Sequence, residues 1–403
     1  MMRFWLVAVV TGSLVGMAGP AFAGCYLSAP DAAHAGGDLC IRPWVDANMR
    51  INQLQFVGTA ESYKLAPSDA MLSLIRMGGR KDAEALDFSE PPIADQLDAG
   101  ARSLEFDVAY DPKGGQFKNP AGASMASELL DPGYVDAMSK PGFKVIHVLD
   151  VDFHSSCVTL KDCLTEVAAW SHAHKNHLPI LIALHANDAR TPMPGATHPV
   201  PFDADAFADL DAEIRTVFAA DELITPDQVK GTHATLREAV QAGAWPRLGE
   251  ARGKVMFLLD DKAEKTDLYT GAAKSLDGRP MFIAAAEDSP FASFICIEDP
   301  LKDQTRISED VASGFMVKTR ADTDTREART NKTARRNAAF ASGAQIVATD
   351  FLMPDKKIGS YQVTLAGSGS RAAKCDVKLA GQQCASWDAR PRRVAAAAAT
   401  ATQ

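Results

Sequence analysis

The sequence predicts an α/β fold, a single (β/α)8 TIM barrel, and three observations carry that prediction. Short apolar, β-branched runs recur along the 403 residues, and stretches with helical periodicity separate them. Polar side chains able to do chemistry stand at the ends of these runs rather than along them, as they do where barrel strands open onto one face. With 46% hydrophobic and 23% charged residues the chain has the composition of a folded protein able to bury a large core. The formal charge of −9 argues against a surface built for nucleic acid or for an anionic membrane, which leaves at most peripheral membrane contact.

Taken in chain order, Met1, Met2 and Arg3 precede an apolar run from Phe4 to Met17, and Ala21-Phe22-Ala23 precedes Gly24. That order is expected of a secretory signal peptide spanning residues 1–23, and the apolar run is shorter than the ~20 residues of a membrane span. Lipidation at Cys25 fits less well, because Phe22 stands where a lipoprotein signal usually has Leu. Export to the periplasm or beyond the cell places all seven cysteines in an oxidising compartment. Proximity pairs Cys25 with Cys40, Cys157 with Cys163 and Cys375 with Cys384, leaving Cys296 as a buried thiol in the run Phe294 to Ile297.

Strands are expected at Gln53 to Val57, Ser103 to Val108, Lys144 to Leu149, Ile180 to Leu184 and Val255 to Leu259. They continue at Met281 to Ala285 or Phe294 to Ile297, then at Phe315 to Thr319 and Gln345 to Ala348. Apolar residues three and four apart make Asp162 to His174, Ala204 to Phe218 and Thr325 to Ala341 crossover helices. One barrel therefore occupies residues 24–390, with an Ala-rich tail at 391–403 that has no core pattern. A monomer is expected.

Glu61 follows the first strand, Glu105 and Asp107 lie in the second, His147 in the third, and His185 follows the fourth. Asp260 and Asp261 follow the fifth, Arg320 and Asp322 the seventh, and Asp350 the eighth. Strands that end at solvent explain some of these charges, such as Asp261. They explain Glu105 and Asp107 poorly, since the two share one face of an apolar strand and would repel in one barrel mouth. A hard divalent cation is the usual reason to keep both ionised. His172, His174 and His177 look like a metal cluster, but the first two face different sides of a helix, so capping or packing is expected of them. For Asp150, Asp152 and His154 a place on the pocket rim and a place in a solvated loop both stay open.

The blocks Arg50 to Thr59, Gln96 to Val108, Val317-Lys318-Thr319-Arg320-Ala321-Asp322 and Ala341 to Asp350, with the closing pair Cys375 and Cys384, resemble one family in order and spacing. It is the calcium-dependent, phosphatidylinositol-specific phospholipase C-like proteins of bacteria. The resemblance implies a barrel of the PLC-like phosphodiesterase type, two catalytic histidines and one calcium ion. In that chemistry one imidazole takes the proton of the attacking hydroxyl, the other protonates the leaving alcohol, and the metal holds the phosphate. His147 matches the second histidine, Glu105 and Asp107 match two metal ligands, and Arg320, with Lys318 beside it, matches a phosphate or head-group contact.

Departures fall on the chemistry. Where the family pattern reads His-Asn-Ser-Tyr, this chain reads Ala60-Glu61-Ser62-Tyr63. The carboxylate expected after the fourth strand is His185, and the Lys two residues on is Asn187. A methyl group cannot move a proton, and losing a general base costs on the order of 10² to 10⁴ in rate. The residues left suggest an altered metal set of Glu61, Glu105, Asp107 and His185, with calcium expected from the family. Zinc or another transition metal would be better suited to an imidazole ligand. Two readings follow: an exported hydrolase of phosphoinositides or related phosphate diesters, with His147 as acid and Glu61 or a metal-bound water as base, or an inactive barrel that binds a phosphorylated ligand.

Overall fold

The computed structural model describes residues 42–272, 274–365, 372–381 and 384. Its strands are β1 (Leu54–Thr59), β2 (Ser103–Asp111), β3 (Gly142–Val145), β4 (Ile180–Ala186), β5 (Val255–Leu259), β6 (Met281–Ile283), β7 (Phe294–Cys296), β8 (Met316–Arg320), β9 (Ile346–Thr349) and β10 (Lys374–Cys375). All but β3 and β10 run parallel, in the order β6-β5-β4-β2-β1-β9-β8-β7. A parallel bridge between Ala284 and Phe294 joins β6 to β7 and brings the circle round. Strands covered by helices outside and packed side chains inside have no wet face, which is why β5 reads as the unbroken run Val255 to Leu259, buried throughout. At the seam between β1 and β2, Gly58 lies so close to Ser103 that an added Cβ would sit 2.4 Å from its Cβ and 2.8 Å from its carbonyl oxygen.

The eight staves are not quite those expected. The sixth-strand alternatives are both strands, β6 and β7. The run Lys144 to Leu149 is not a stave: only Gly142–Val145 is extended, and it pairs antiparallel with the end of β2, Val108 with Val145 through Asp111 with Gly142. Val145 stays in the main core, while Ile146 and Leu149 enter a second, smaller one with Met71, Ala109, Phe117, Ala123, Met138 and Phe153. An apolar β-branched run shows that a segment is buried, not which core it enters.

Crossover helices Leu160–Ala173 and Ala204–Val217 lie where periodicity puts them, each opened by a side-chain cap, Thr159 on Asp162 N and Asp203 on Ala206 N. The expected helix Thr325 to Ala341 is two, Arg326–Thr330 and Ala334–Ser342, split at Asn331 in the left-handed conformation (φ 49°). Cys157 is bonded to Cys163 and Cys375 to Cys384, with Cα separations of 5.2 and 5.5 Å. The second clips the chain end, through Leu54 paired with Cys375, to the start of β1, whereas the first is in mid-chain. Cys25, Cys40, the signal segment 1–23 and the tail 391–403 lie outside the described residues. Among those described, no helix is long and apolar enough to cross a membrane.

Candidate functional site

The carboxyl end of β1 runs into a tight turn. Ala60 N donates to Thr349 O at 3.0 Å, Ser62 N to Glu105 O at 3.0 Å and Lys64 N to Glu61 O at 2.8 Å. These bonds hold Ala60 fully buried and force Glu61 into the left-handed region (φ 49°), which costs a non-glycine residue about 1 kcal/mol.

That turn aims Glu61 at His147, which stands on a loop two residues beyond β3. His147 Nδ1 donates to Asp152 Oδ2 at 2.8 Å, and its Nε2 lies 3.3 Å from Glu61 Oε1. Asp152 is itself buried against Lys64 at 3.1 Å, and the Lys64 ammonium donates to Leu86 O at 2.7 Å. Asn187 Nδ2 donates to the carbonyls of Ile146 (2.8 Å) and His147 (3.0 Å), fixing the loop backbone. Burial alone would discharge the imidazole, but Glu61, the Asp152 hydrogen bond and Asp107 outweigh it and push its pKa up to about 9. Burial also pushes the Glu61 carboxyl upward against the pull of His147 and Arg320. Glu61 Oε2 is buried with no hydrogen-bond partner.

A second group is carried by the staves. Glu105 from β2, His185 from β4, Lys318 from β8 and Asp260 just after β5 meet inside the mouth. The Lys318 ammonium bonds to Glu105 Oε2 and lies 2.6 Å from Asp260 Oδ2, with its side chain 3% exposed. His185 Nε2 is 3.1 Å from Glu105 Oε1 and 4.0 Å from Asp260 Oδ2, close enough for ion pairing though not aligned as a hydrogen bond. Burial opposes every charge here, and the partners reverse it. Lys318 and His185 hold Glu105 well below the usual carboxylate range, and the same two lower Asp260. Asp260 and Glu105 hold Lys318 well above the usual amine range, and Glu105 leads in pushing His185 up to about 10.

Asp107 and Arg320 lie between the groups. Asp107 Oδ2 accepts from Tyr63 OH at 2.7 Å, and its carboxylate feels both His185 and His147. Arg320 bonds through Nη2 to Asp350 Oδ1 at 2.5 Å and through Nε to Asp322 O at 3.2 Å, which leaves Nη1 outside these bonds. A cavity of about 950 Å³ opens beside the stave group, lined by His185, Asp260, Cys296 and Glu298 among others. Another of about 410 Å³ is lined by Glu90 and Asp350 on the far side of Arg320.

The expected residues thus gather at one mouth, but not as one ligand set. Glu105 and His185 meet, whereas Glu61 engages His147 and Asp107 engages Tyr63. Lys318, expected to meet a substrate phosphate, is instead buried and held by carboxylates. Arg335 Nε donates to Arg320 O and Arg336 Nη1 to Gln362 O, which ties the helix Ala334–Ser342 to the rim. Asp152 and Asp260 were visible only as charges near strand ends, and nothing in the pattern separated them from Asp261. His177 is a packing residue as expected, with Nε2 against Ser171 Oγ and Nδ1 against Leu178 O, both at 2.7 Å. Cys296 forms no disulfide, and burial pushes its thiol well above the usual range.

Among the described residues, Glu105, His185 and Asp260 offer ligand atoms within 4.8 Å of one another, the spacing of a metal site. Calcium takes about six to eight oxygen ligands. Here an imidazole replaces one oxygen donor, and the oxygens of Glu105 and Asp260 already face the Lys318 ammonium. As arranged the set does not fit a hard divalent ion.

A calcium-dependent phosphoinositol-specific phospholipase C from a Gram-negative Pseudomonas species is similar over 83% of this chain and 97% of its own, at 15% identity and a TM-score of 0.49. The calcium-dependent phosphatidylinositol-specific phospholipase C of Streptomyces antibioticus is similar over 75% and 95%, at 19% identity and a TM-score of 0.47. The phosphatidylinositol-specific phospholipase C of Listeria monocytogenes is similar over 78% of this chain and 94% of its own, at 11% identity and a TM-score of 0.44. A comparison with curated proteins gives no significant match. Residues 49–376 match the family model of calcium-dependent phosphoinositide phospholipase C, a span that takes in every stave and both groups of side chains. The chain belongs to the calcium-dependent phosphoinositide phospholipase C family.

Proposed function

We propose that this chain is an exported phosphoric diester hydrolase acting on phosphoinositides or a related phosphate diester, with an acid/base pair rebuilt around His147 and Glu61. One observation carries the reading: the line Lys64–Asp152–His147–Glu61 holds a charged imidazole by its buried nitrogen and turns Nε2 to the mouth. Asp152 fixes the tautomer, so the proton available for transfer is the one on Nε2. With a pKa near 9, His147 is protonated at neutral pH and can give that proton to the leaving alcohol. Glu61, with one oxygen unpartnered, accepts the proton of the attacking hydroxyl or water as the new P–O bond forms and the old one breaks. Its raised pKa makes it a stronger base than an exposed carboxylate. The uncommitted end of Arg320 is the cation placed to hold the phosphate.

A second reading is favoured by Ala60. The family's first histidine is here a fully buried methyl, so a barrel that binds a phosphorylated ligand without cleaving it would still present His147 and Arg320. The separating experiment is a phosphodiesterase assay over a panel of phosphoinositides and soluble head-group diesters on wild type, His147→Ala and Glu61→Gln. Activity that both substitutions abolish supports the hydrolase. No turnover of any diester, with a head-group phosphate still bound, establishes the binding protein.

A further inference from the structure

Among the described residues, Lys318 is the one lysine whose ammonium is bonded by two carboxylates inside the barrel mouth, Glu105 and Asp260. The strand that bears it is paired on both sides, Lys318 opposite Ile346 of β9 and Cys296 of β7. The side chain is 3% exposed, and its partners Glu105 and Asp260 are each 10% exposed. Two carboxylates, one ammonium and one imidazole thus already meet in this one group, with the Lys318 nitrogen seated between Glu105 and Asp260.

We propose that Lys318 is the resident cation of this site, its ammonium standing between Glu105 and Asp260 where a divalent ion would otherwise sit, so that the chain binds no divalent ion there. The argument is electrostatic and steric. A dication would have to share Glu105 and Asp260 with a fixed positive charge, or expel that charge into a pocket with no other anion bonded to it. Breaking a buried pair leaves an uncompensated charge and is strongly unfavourable. The ammonium meets the carboxylates through N–H bonds that match their geometry without a coordination shell of water and carbonyl oxygens. This goes beyond the hydrolase reading, because ion occupancy is read without turnover.

The test is equilibrium dialysis of the full chain against calcium, zinc and manganese, followed by elemental analysis, with thermal unfolding in each ion and in EDTA. Wild type is expected to hold no stoichiometric ion and to melt at one temperature in every buffer. Lys318→Met keeps the stem but removes the charge. It is expected to gain an ion, bound at least about 10²-fold more tightly than by wild type, and an ion-dependent rise in melting temperature. Lys318→Arg is expected to behave as wild type, and Lys318→Met combined with Glu105→Gln to lose the gained ion. A stoichiometric ion in wild type, whose removal by EDTA lowers the melting temperature, overturns the proposal. So does a folded Lys318→Met that binds nothing. Should Lys318→Met not fold, the wild-type measurement decides alone.

Discussion

The two halves of the mouth are built on different supports and do different things with charge. The stave group, Glu105, His185, Asp260 and Lys318, rises from β2, β4 and β8 and the end of β5, and its carboxylates and Lys318 are almost closed to solvent. The loop group, Lys64, Asp152, His147 and Glu61, comes from the turn after β1 and the loop after β3, and its outermost member, His147, is 23% exposed. Both histidines are charged at neutral pH. The loop group leaves a nitrogen–carboxylate contact at 3.3 Å beside a carboxylate oxygen with no partner, whereas in the stave group the Glu105 and Asp260 oxygens are taken up by Lys318. Staves hold paired charge, and under the hydrolase reading the loops above them hold the proton that moves.

The comparison breaks most visibly in activity. Under the hydrolase reading, His147→Ala lowers kcat/KM by on the order of 10² to 10⁴, and it also lowers the unfolding midpoint at neutral pH, because the charged imidazole's contacts with Asp152 and Glu61 are lost. The stave group is tested by stability alone. Glu105→Leu strands the buried Lys318 ammonium on one partner and costs about 3 kcal/mol or more by urea unfolding. Glu105→Leu with Lys318→Met removes both charges and costs less than the single change, since no charge is then left without its main partner. A double variant as unstable as the sum of the singles would show that the pair is not a closed unit.

Much of this was legible from the chain alone. Val255 to Leu259 is a strand to the residue, and Ile180 to Leu184 is short by two. Glu61, Glu105, Asp107, His147, His185 and Arg320 do reach one mouth, because barrel geometry sends strand ends to a shared face whatever their separation in sequence. The partners were not legible. Asp152 and Asp260 are single carboxylates after apolar runs, the same pattern as Asp261, which instead accepts from Ala186 N. Lys318 alternates with Val317 and Thr319 like any half-buried lysine, and only the closed barrel shows that its side chain points at two carboxylates. The third predicted strand failed for a related reason, since Ile146 and Leu149 are buried in a core that no periodicity announces.

Proton binding sharpens the contrast with opposite signs. His177 is buried, and burial pushes its pKa down to about 4, so the folded state binds a proton less readily than the unfolded chain. Its contribution is fully present above the unfolded value of 6.5 and is lost as pH falls toward 4, up to about 3 kcal/mol. His147, raised to about 9, contributes stability that is complete below 6.5 and lost as pH rises through 9. Urea midpoints from pH 4 to 10, given as approximate bounds, should therefore fall at both ends. His177→Phe should flatten the acid limb alone, and His147→Ala should remove only part of the alkaline one, because His185, raised to about 10, supplies the rest. NMR titration showing His177 charged at pH 6 would refute the assignment.

The smallest expected effect decides whether the two groups are separate at all. Tyr63 OH donates to Asp107 Oδ2 at 2.7 Å, and Asp107 lies in the field of His147 and His185 together. Tyr63→Phe removes that donor without changing the ring's packing on Phe106, and should cost about 1 kcal/mol. Without the phenol the Asp107 carboxyl rises further and is less often charged, so His147 loses one of the anions that raise it. The His147 titration should move downward, while His185, held chiefly by Glu105 and Asp260, should hardly move. A shift at His147 alone places Asp107 with the loop group. Equal shifts at both histidines would make Asp107 the link through which charge at the staves governs the proton on the loop.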